Sequence, residues 1–99
     1  MKTGIELIKE ERGRQLMPKS SGGEGWTSEH DDSHVTDELT QAAICYAVQS
    51  SKFDLGASEV PWPWEPRHWK PCKDRVRNLV KAGALIAAEI DRLQRLNAK

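Results

Sequence analysis

From Asp74 to Leu96 the apolar residues of this 99-residue chain recur at helical spacing. Val76, Val80, Gly83, Ala87 and Ile90 trace one stripe, and Leu79, Ile86 and Leu93 trace an adjacent one at heptad spacing. Together they predict a central helix over about 74–96 with a wide buried face. Asp91 with Arg95 is an i, i+4 pair on its outer side, and Glu89 with Arg92 is an i, i+3 pair. A helix of this kind needs other apolar faces to pack against, so the rest of the chain is read for what it can supply.

A second helix is predicted over about 37–50. Leu39, Ala42, Ala43, Tyr46 and Ala47 follow the i, i+3, i+4, i+7, i+8 pattern, and Thr36 or Asp37 can cap it. Its small residues allow close approach. A third is predicted over about 4–17, where Thr3 and Glu6 have capping-box spacing and Pro18 ends the run. Its apolar stripe, Ile5, Leu7 and Ile8, is narrow. Lys19 to Gly23 reads as a flexible linker by composition, and Ser51 to Gly56 as a break. Residues 60–71 carry prolines at 61, 63, 66 and 71, which exclude a helix or sheet interior. Trp62, Trp64 and Trp69 in that segment are costly to leave in water, so an ordered loop is expected. No strand pattern and no internal repeat is found. The expectation is one all-α domain over 1–99, a small bundle of three principal helices with an ordered Trp/Pro-rich loop. Three helices with this little bulk make a thin core, so a homo-oligomer is expected.

Charge narrows the functional classes. Fifteen Lys and Arg balance fifteen Asp and Glu. A neutral chain gains little steering toward nucleic acid, and it is a poor DNA mimic. Two cysteines are too few for a disulfide framework: Cys45 lies in an apolar helix pattern as a small core residue, and Cys72 in a Pro-flanked loop. No apolar run reaches the roughly 20 residues of a membrane span. These features place the protein in the cytoplasm, with no membrane partner.

Three constellations bear chemistry. Glu29-His30-Asp31-Asp32-Ser33-His34 follows Gly25-Trp26-Thr27. If helical, it puts His30, His34 and Glu38 on one face. Imidazoles among carboxylates suit zinc, and carboxylates alone suit magnesium. The plainer readings are helix-start acids beside exposed histidines, or histidines that read a ligand while Asp31 and Asp32 orient them. The second constellation is Trp62, Trp64, Arg67, His68, Trp69 and Lys70. Indoles stack on nucleobases while Arg and Lys meet phosphates. The plainer reading makes Trp62 and Trp64 plugs between helices, covered by Arg67. The third is Glu10-Glu11-Arg12-Gly13-Arg14-Gln15. Its plain reading is a solvated face with a Glu10–Arg14 pair, yet Arg12 and Arg14 suit phosphate contact. No nucleophile motif and no phosphate-binding glycine loop is present.

The stretches Gly4-Ile5-Glu6-Leu7-Ile8, Glu11-Arg12, Arg14-Gln15, Gly25-Trp26-Thr27, Glu29-His30-Asp31-Asp32, His34, Glu38-Leu39, Ala42-Ala43 and Tyr46-Ala47 form a set. Trp62-Pro63-Trp64, Trp69-Lys70-Pro71 and Leu79 through Ile90 extend it. On these residues the chain resembles a widespread family of small phage and prophage proteins usually left without a function. The resemblance spans nearly the whole chain and implies a phage origin and an accessory role inside an infected bacterial host. Met17 to Gly23 departs from it, being longer than the usual link into Gly-Trp-Thr. A weaker likeness is to MazG-type all-α nucleoside triphosphate pyrophosphohydrolases, in which clustered acids hold magnesium. Asp31, Asp32 and Glu38 would play that part, although the family's paired glutamates and downstream Glu-x-x-Asp are not cleanly present.

The expected function is binding of a small nucleotide-type ligand by Trp26, His30, Asp31, Asp32, His34, Arg67, His68, Trp69, Lys70, Arg12 and Arg14. Sequestering a host immune signal needs such stacking, phosphate and base-reading groups and no cofactor. The alternatives are a metal-dependent pyrophosphohydrolase-like enzyme using magnesium or zinc on His30, His34, Asp31, Asp32 and Glu38, and an inhibitor that binds a host defence protein.

Overall fold

The computed structural model describes residues 1–33, 37–49 and 61–98. Among them the architecture is all-helical. Four α-helices follow in order: α1 (Gly4–Leu16), α2 (Ser28–Asp32), α3 (Glu38–Val48) and α4 (Arg75–Asn97). Short 3₁₀ turns stand at Lys19–Ser21 and Pro66–His68. No helix of the described residues is long and apolar enough to cross a membrane.

α1 begins where its capping box dictates. The Thr3 hydroxyl accepts from the Glu6 N–H, and the Glu6 carboxylate accepts from the Thr3 N–H. It ends at Met17, whose extended backbone passes into Pro18. The following segment is a structured return, which corrects the flexible linker expected from its composition. Gly23 N–H donates to Pro18 C=O, Glu24 N–H to Arg14 C=O, Gly25 N–H to Met17 C=O and Trp26 N–H to Gln15 C=O. These bonds satisfy carbonyls that the end of α1 leaves open. The reversal needs glycine. Gly22 and Gly25 have φ of 85° and 70°, and a Cβ on Gly23 would strike the backbone oxygens of Met17 and Arg14.

α4 is the central helix, with α3, α1 and α2 packed against it. The α3–α4 contact is built on small residues. Ala42 and Ala43 face Ala82 and Ala88, with Leu39, Tyr46 and Leu85 completing the buried cluster. Small side chains bring the two axes close and make up in contact density what they lack in bulk. Trp26, Trp62, Trp64 and Trp69 pack on the edge of this cluster.

The buried face of α4 differs from the expected one. Asn78, Val80, Ala82, Ala84, Leu85, Ala88, Glu89 and Arg92 are buried. Val76, Leu79, Ile86, Ile90 and Leu93 are exposed. The neighbouring helices have chosen the alanine side, where they can approach closely. At Gly83 the nearest neighbour is Ile8 of α1, whose Cδ1 lies 2.6 Å from where a Cβ would stand. On α1 the expected apolar stripe is likewise turned outward at Ile5, and the buried residues are Glu11 and Gln15. Cys45 is half-buried rather than fully in the core, and burial pushes its thiol pKa up.

Two buried polar links tie the pieces together. Asn78 donates from Nδ2 to Cys72 C=O and accepts at Oδ1 from Cys72 N–H, at 2.7 and 2.8 Å. That amide clamp docks the end of the Pro-rich loop on α4. Glu89 pairs with Arg92 at 2.6 Å and accepts from the Thr40 hydroxyl of α3.

Two substitutions on α3 test this burial pattern by urea unfolding. Leu39 is 1% exposed and Ile44 is 39% exposed. Leu39→Ala should cost about 2–5 kcal/mol, and Ile44→Ala less than about 1 kcal/mol. At the reversal, Gly23→Ala should cost more than about 1 kcal/mol, because the backbone itself must move.

Candidate functional site

The reversal after α1 lays Trp26 beside the C-terminal half of that helix. Thr27 then caps α2, its hydroxyl accepting from the His30 N–H. Within α2, Asp31 is wholly buried. Its carboxylate takes Arg12 Nη2 at 2.8 Å and His30 Nδ1 at 3.3 Å. An ionised carboxylate only accepts, so Nδ1 is the nitrogen that carries hydrogen, and a neutral His30 has Nε2 as its acceptor. The imidazole stacks on Trp26 with centroids 5.6 Å apart and planes 1° from parallel. Arg12, Asp31 and His30 thus brace the indole from behind.

Trp26 forms part of a cleft of about 370 Å³ between α1, α4 and the Trp/Pro loop. Glu11, Arg14, Gln15 and Glu24 line one side; Arg77, Lys81 and Leu85 line another; Tyr46, His68 and Lys70 complete it. A wider groove of about 1420 Å³ continues past Trp26 to His30, Trp64 and the glycine return. Residues from both expected constellations therefore line one continuous depression: Trp26 and His30 from the first, and Trp64, His68 and Lys70 from the second.

The cleft is electropositive in a neutral chain. Arg14, Lys70, Arg77 and Lys81 stand against Glu11 and Glu24. Burial pushes the Glu11 carboxyl up, but hydrogen bonds and charge from Arg14 and Arg77 outweigh it and hold its pKa below the ordinary value. The same bonds hold Arg14 further toward its charged form. Lys81 Nζ donates to Lys70 C=O at 2.7 Å and lies 5.4 Å from the Tyr46 ring centre. Burial, and then the charge of Arg77, lowers the Lys81 pKa. Four cations against two carboxylates leave the cleft with a positive excess that suits an anion. The buried Gln15 amide donates from Nε2 to Glu11 at 3.3 Å. Its Oε1, also buried, has no hydrogen-bond partner among the described residues. Such an orphan acceptor is costly unless a donor arrives.

Several expected ligand contacts are used elsewhere. Arg12 gives Nη2 to Asp31 while its buried Nε and Nη1 have no hydrogen-bond partner among the described residues, and Asp32 is held by Arg95 of α4 at 2.8 Å. That contact also replaces the Asp91–Arg95 bond expected within α4. Arg67 pairs with Glu65 on the exposed surface. Trp69 packs 4.7 Å from Tyr46 and 4.8 Å from Trp62, within an aromatic row that Trp64 and Trp26 continue. It braces the core edge and does not line the cleft. Glu10 bonds Lys2, not Arg14; Glu11 is the buried carboxylate, bonded to Arg14 and Arg77. His30 belongs to α2 and Glu38 opens α3, so they are not turns of one helix. His34, Thr36, Phe53, Leu55 and Val60 lie outside the described residues. Among those described, no three His, Cys, Asp or Glu side chains converge as metal ligands. Asp31 is already neutralised by a guanidinium.

Gln15, Glu24, Tyr46, Arg77 and Lys81 were not singled out as site residues by their spacing. One signal was present: Lys81 is the only charge between Leu79 and Ala88, with Arg77 one turn before it. Comparison with family models, curated proteins and solved structures returned no match.

Because the Glu11 pKa is lowered on folding, its stabilisation is complete above the ordinary value of 4.5 and is lost as pH falls through the lower folded value. Urea midpoints of the wild type should therefore fall between about pH 5 and about pH 3, and Glu11→Gln should start lower and flatten that part of the curve.

Proposed function

We propose that this chain binds a small anionic, nucleotide-type ligand in the cleft between α1, α4 and the Trp/Pro loop. Its role would be to sequester the ligand, not to turn it over. The observation that carries the reading is the meeting of an unpartnered buried amide oxygen, Gln15 Oε1, with four cationic side chains at one indole. Phosphates suit Lys70, Lys81 and Arg77, beside an Arg14 that Glu11 and Glu24 already hold. A base or ribose suits Trp26 and His68. A donor group on the ligand would satisfy Gln15.

Catalysis is the weaker reading. Glu11 is locked between two arginines, and the described carboxylates do not converge for a metal. A binding role is also compatible with the accessory role that the resemblance to small phage proteins implies, since removing a host immune nucleotide would be one anti-defence task. A homo-oligomer belongs to the same proposal, because the large apolar residues of α4 remain outside the core.

Calorimetry against cyclic dinucleotides and cyclic ADP-ribose isomers tests it. At least one member should bind, come off intact, and bind about 10–100-fold more weakly to Lys81→Met and to Trp26→Ala. Added salt should weaken it further. Magnesium-dependent turnover would establish the enzyme instead. A silent panel together with a tight host protein partner would establish the inhibitor.

A further inference from the structure

The cleft leaves the aliphatic face of α4 unused. Val76, Leu79, Ile86, Ile90 and Leu93 are 41–56% exposed. With Gly83 they alternate at spacings of three and four, the pattern of a helix–helix seam. No charged residue interrupts the row. α1 runs antiparallel beside it, since Ile8 meets Gly83 while Glu11 meets Arg77. That direction carries Ile5, 81% exposed, toward the Ile86 and Ile90 end.

We infer that this face docks a second copy of the chain, α4 against α4 in antiparallel orientation. The inference rests on the self-association proposed above and names its surface. Area is the first argument. The exposed side chains of Val76, Leu79, Ile86, Ile90, Leu93 and Leu96 with Ile5 offer on the order of 700 Å², close to the roughly 800 Å² per partner of a standard stable interface. A two-fold axis lets one patch complete itself, so no other complementary surface is required. Need is the second argument. Leu39 and Leu85 are the only large aliphatic side chains fully buried among the described residues. Packing the α4 seams adds the bulk that the alanine core lacks.

Orientation follows from the row itself. An axis near Ala84–Leu85 sets Val76 against Leu93, Leu79 against Ile90 and Gly83 against Ile86 of the second copy. Each Ile86 then meets the Ile8 side chain that covers Gly83 of the other copy, so large residues pair along the whole row. Parallel pairing would oppose the two Gly83 positions and bring both α1 helices to one level. It would also align the helix dipoles unfavourably.

Sedimentation equilibrium on the full chain, without ligand, provides the test. The wild type should show twice its 11.2 kDa chain mass at micromolar concentration. Ile86→Glu with Ile90→Glu should return one chain mass while circular dichroism keeps its helix content, because both side chains are outside the single-chain core. In a Cys45→Ser, Cys72→Ser background, mixing Val76→Cys and Leu93→Cys proteins should give a disulfide-linked heterodimer, with little Leu93–Leu93 homodimer. A wild type that stays monomeric at about 100 μM overturns both the surface and the self-association, since an interface of standard area binds more tightly than that. A dimer indifferent to the glutamate pair overturns the surface alone. A Leu93–Leu93 cross-link as strong as the mixed one overturns the orientation.

Discussion

The fold turns on a carboxylate that α1 buries against α4. Glu11 lies out of water, where an unpaired charge is not tolerated, and two guanidinium groups make it tolerable. Arg14 comes from its own helix and Arg77 from α4, so the pair sets how α1 crosses the central helix. Gln15 joins the same cluster one turn on. The cleft is the open side of this arrangement. Its charge follows from the cost of burying Glu11, which brings in cations whose fields extend beyond the carboxylate they serve.

The second determinant is the return after α1. Four backbone hydrogen bonds turn residues 23–26 onto the end of the helix. They place Trp26 over Gln15 and lead directly into α2, where Asp31 locks His30 behind the indole. From the other side, the Asn78 clamp and the Lys70–Tyr46 hydrogen bond hold the Pro-rich loop against the core. Prolines limit what that loop can adopt, and its tryptophans need cover. Its stiffness keeps His68 and Lys70 at the rim with no more than the 3₁₀ turn at Pro66–His68.

Helix 1 with its capping box, the small-residue face of helix 3 and the length of helix 4 were legible along the chain, because each depends on neighbours within a few residues. The ordered Trp loop was legible too, since proline and indole restrict it locally. Which face of α4 goes inward was not. Its middle, Leu79 to Ala88, is apolar apart from Lys81, so periodicity names two candidate faces and does not rank them. The larger side chains suggested one, and close packing against Ala42 and Ala43 selected the other. Arg67, Asp32 and Arg12 carried the expected charges but were claimed by Glu65, Arg95 and Asp31. Residue type alone does not reveal such competition.

By itself, then, the sequence determined an all-helical chain with a stiff aromatic loop and a polar segment beginning at Gly-Trp-Thr. Tertiary structure alone decided that Glu11, Gln15, Arg77 and Lys81 join Trp26 and His68 in one cleft. Those from α1 and those from α4 stand more than sixty residues apart, and what unites them is the burial of one carboxylate between two helices. It likewise decided that the most regular apolar row in the chain faces outward. Helical propensity builds that row, but only the competition among packing surfaces settles which side of it remains exposed.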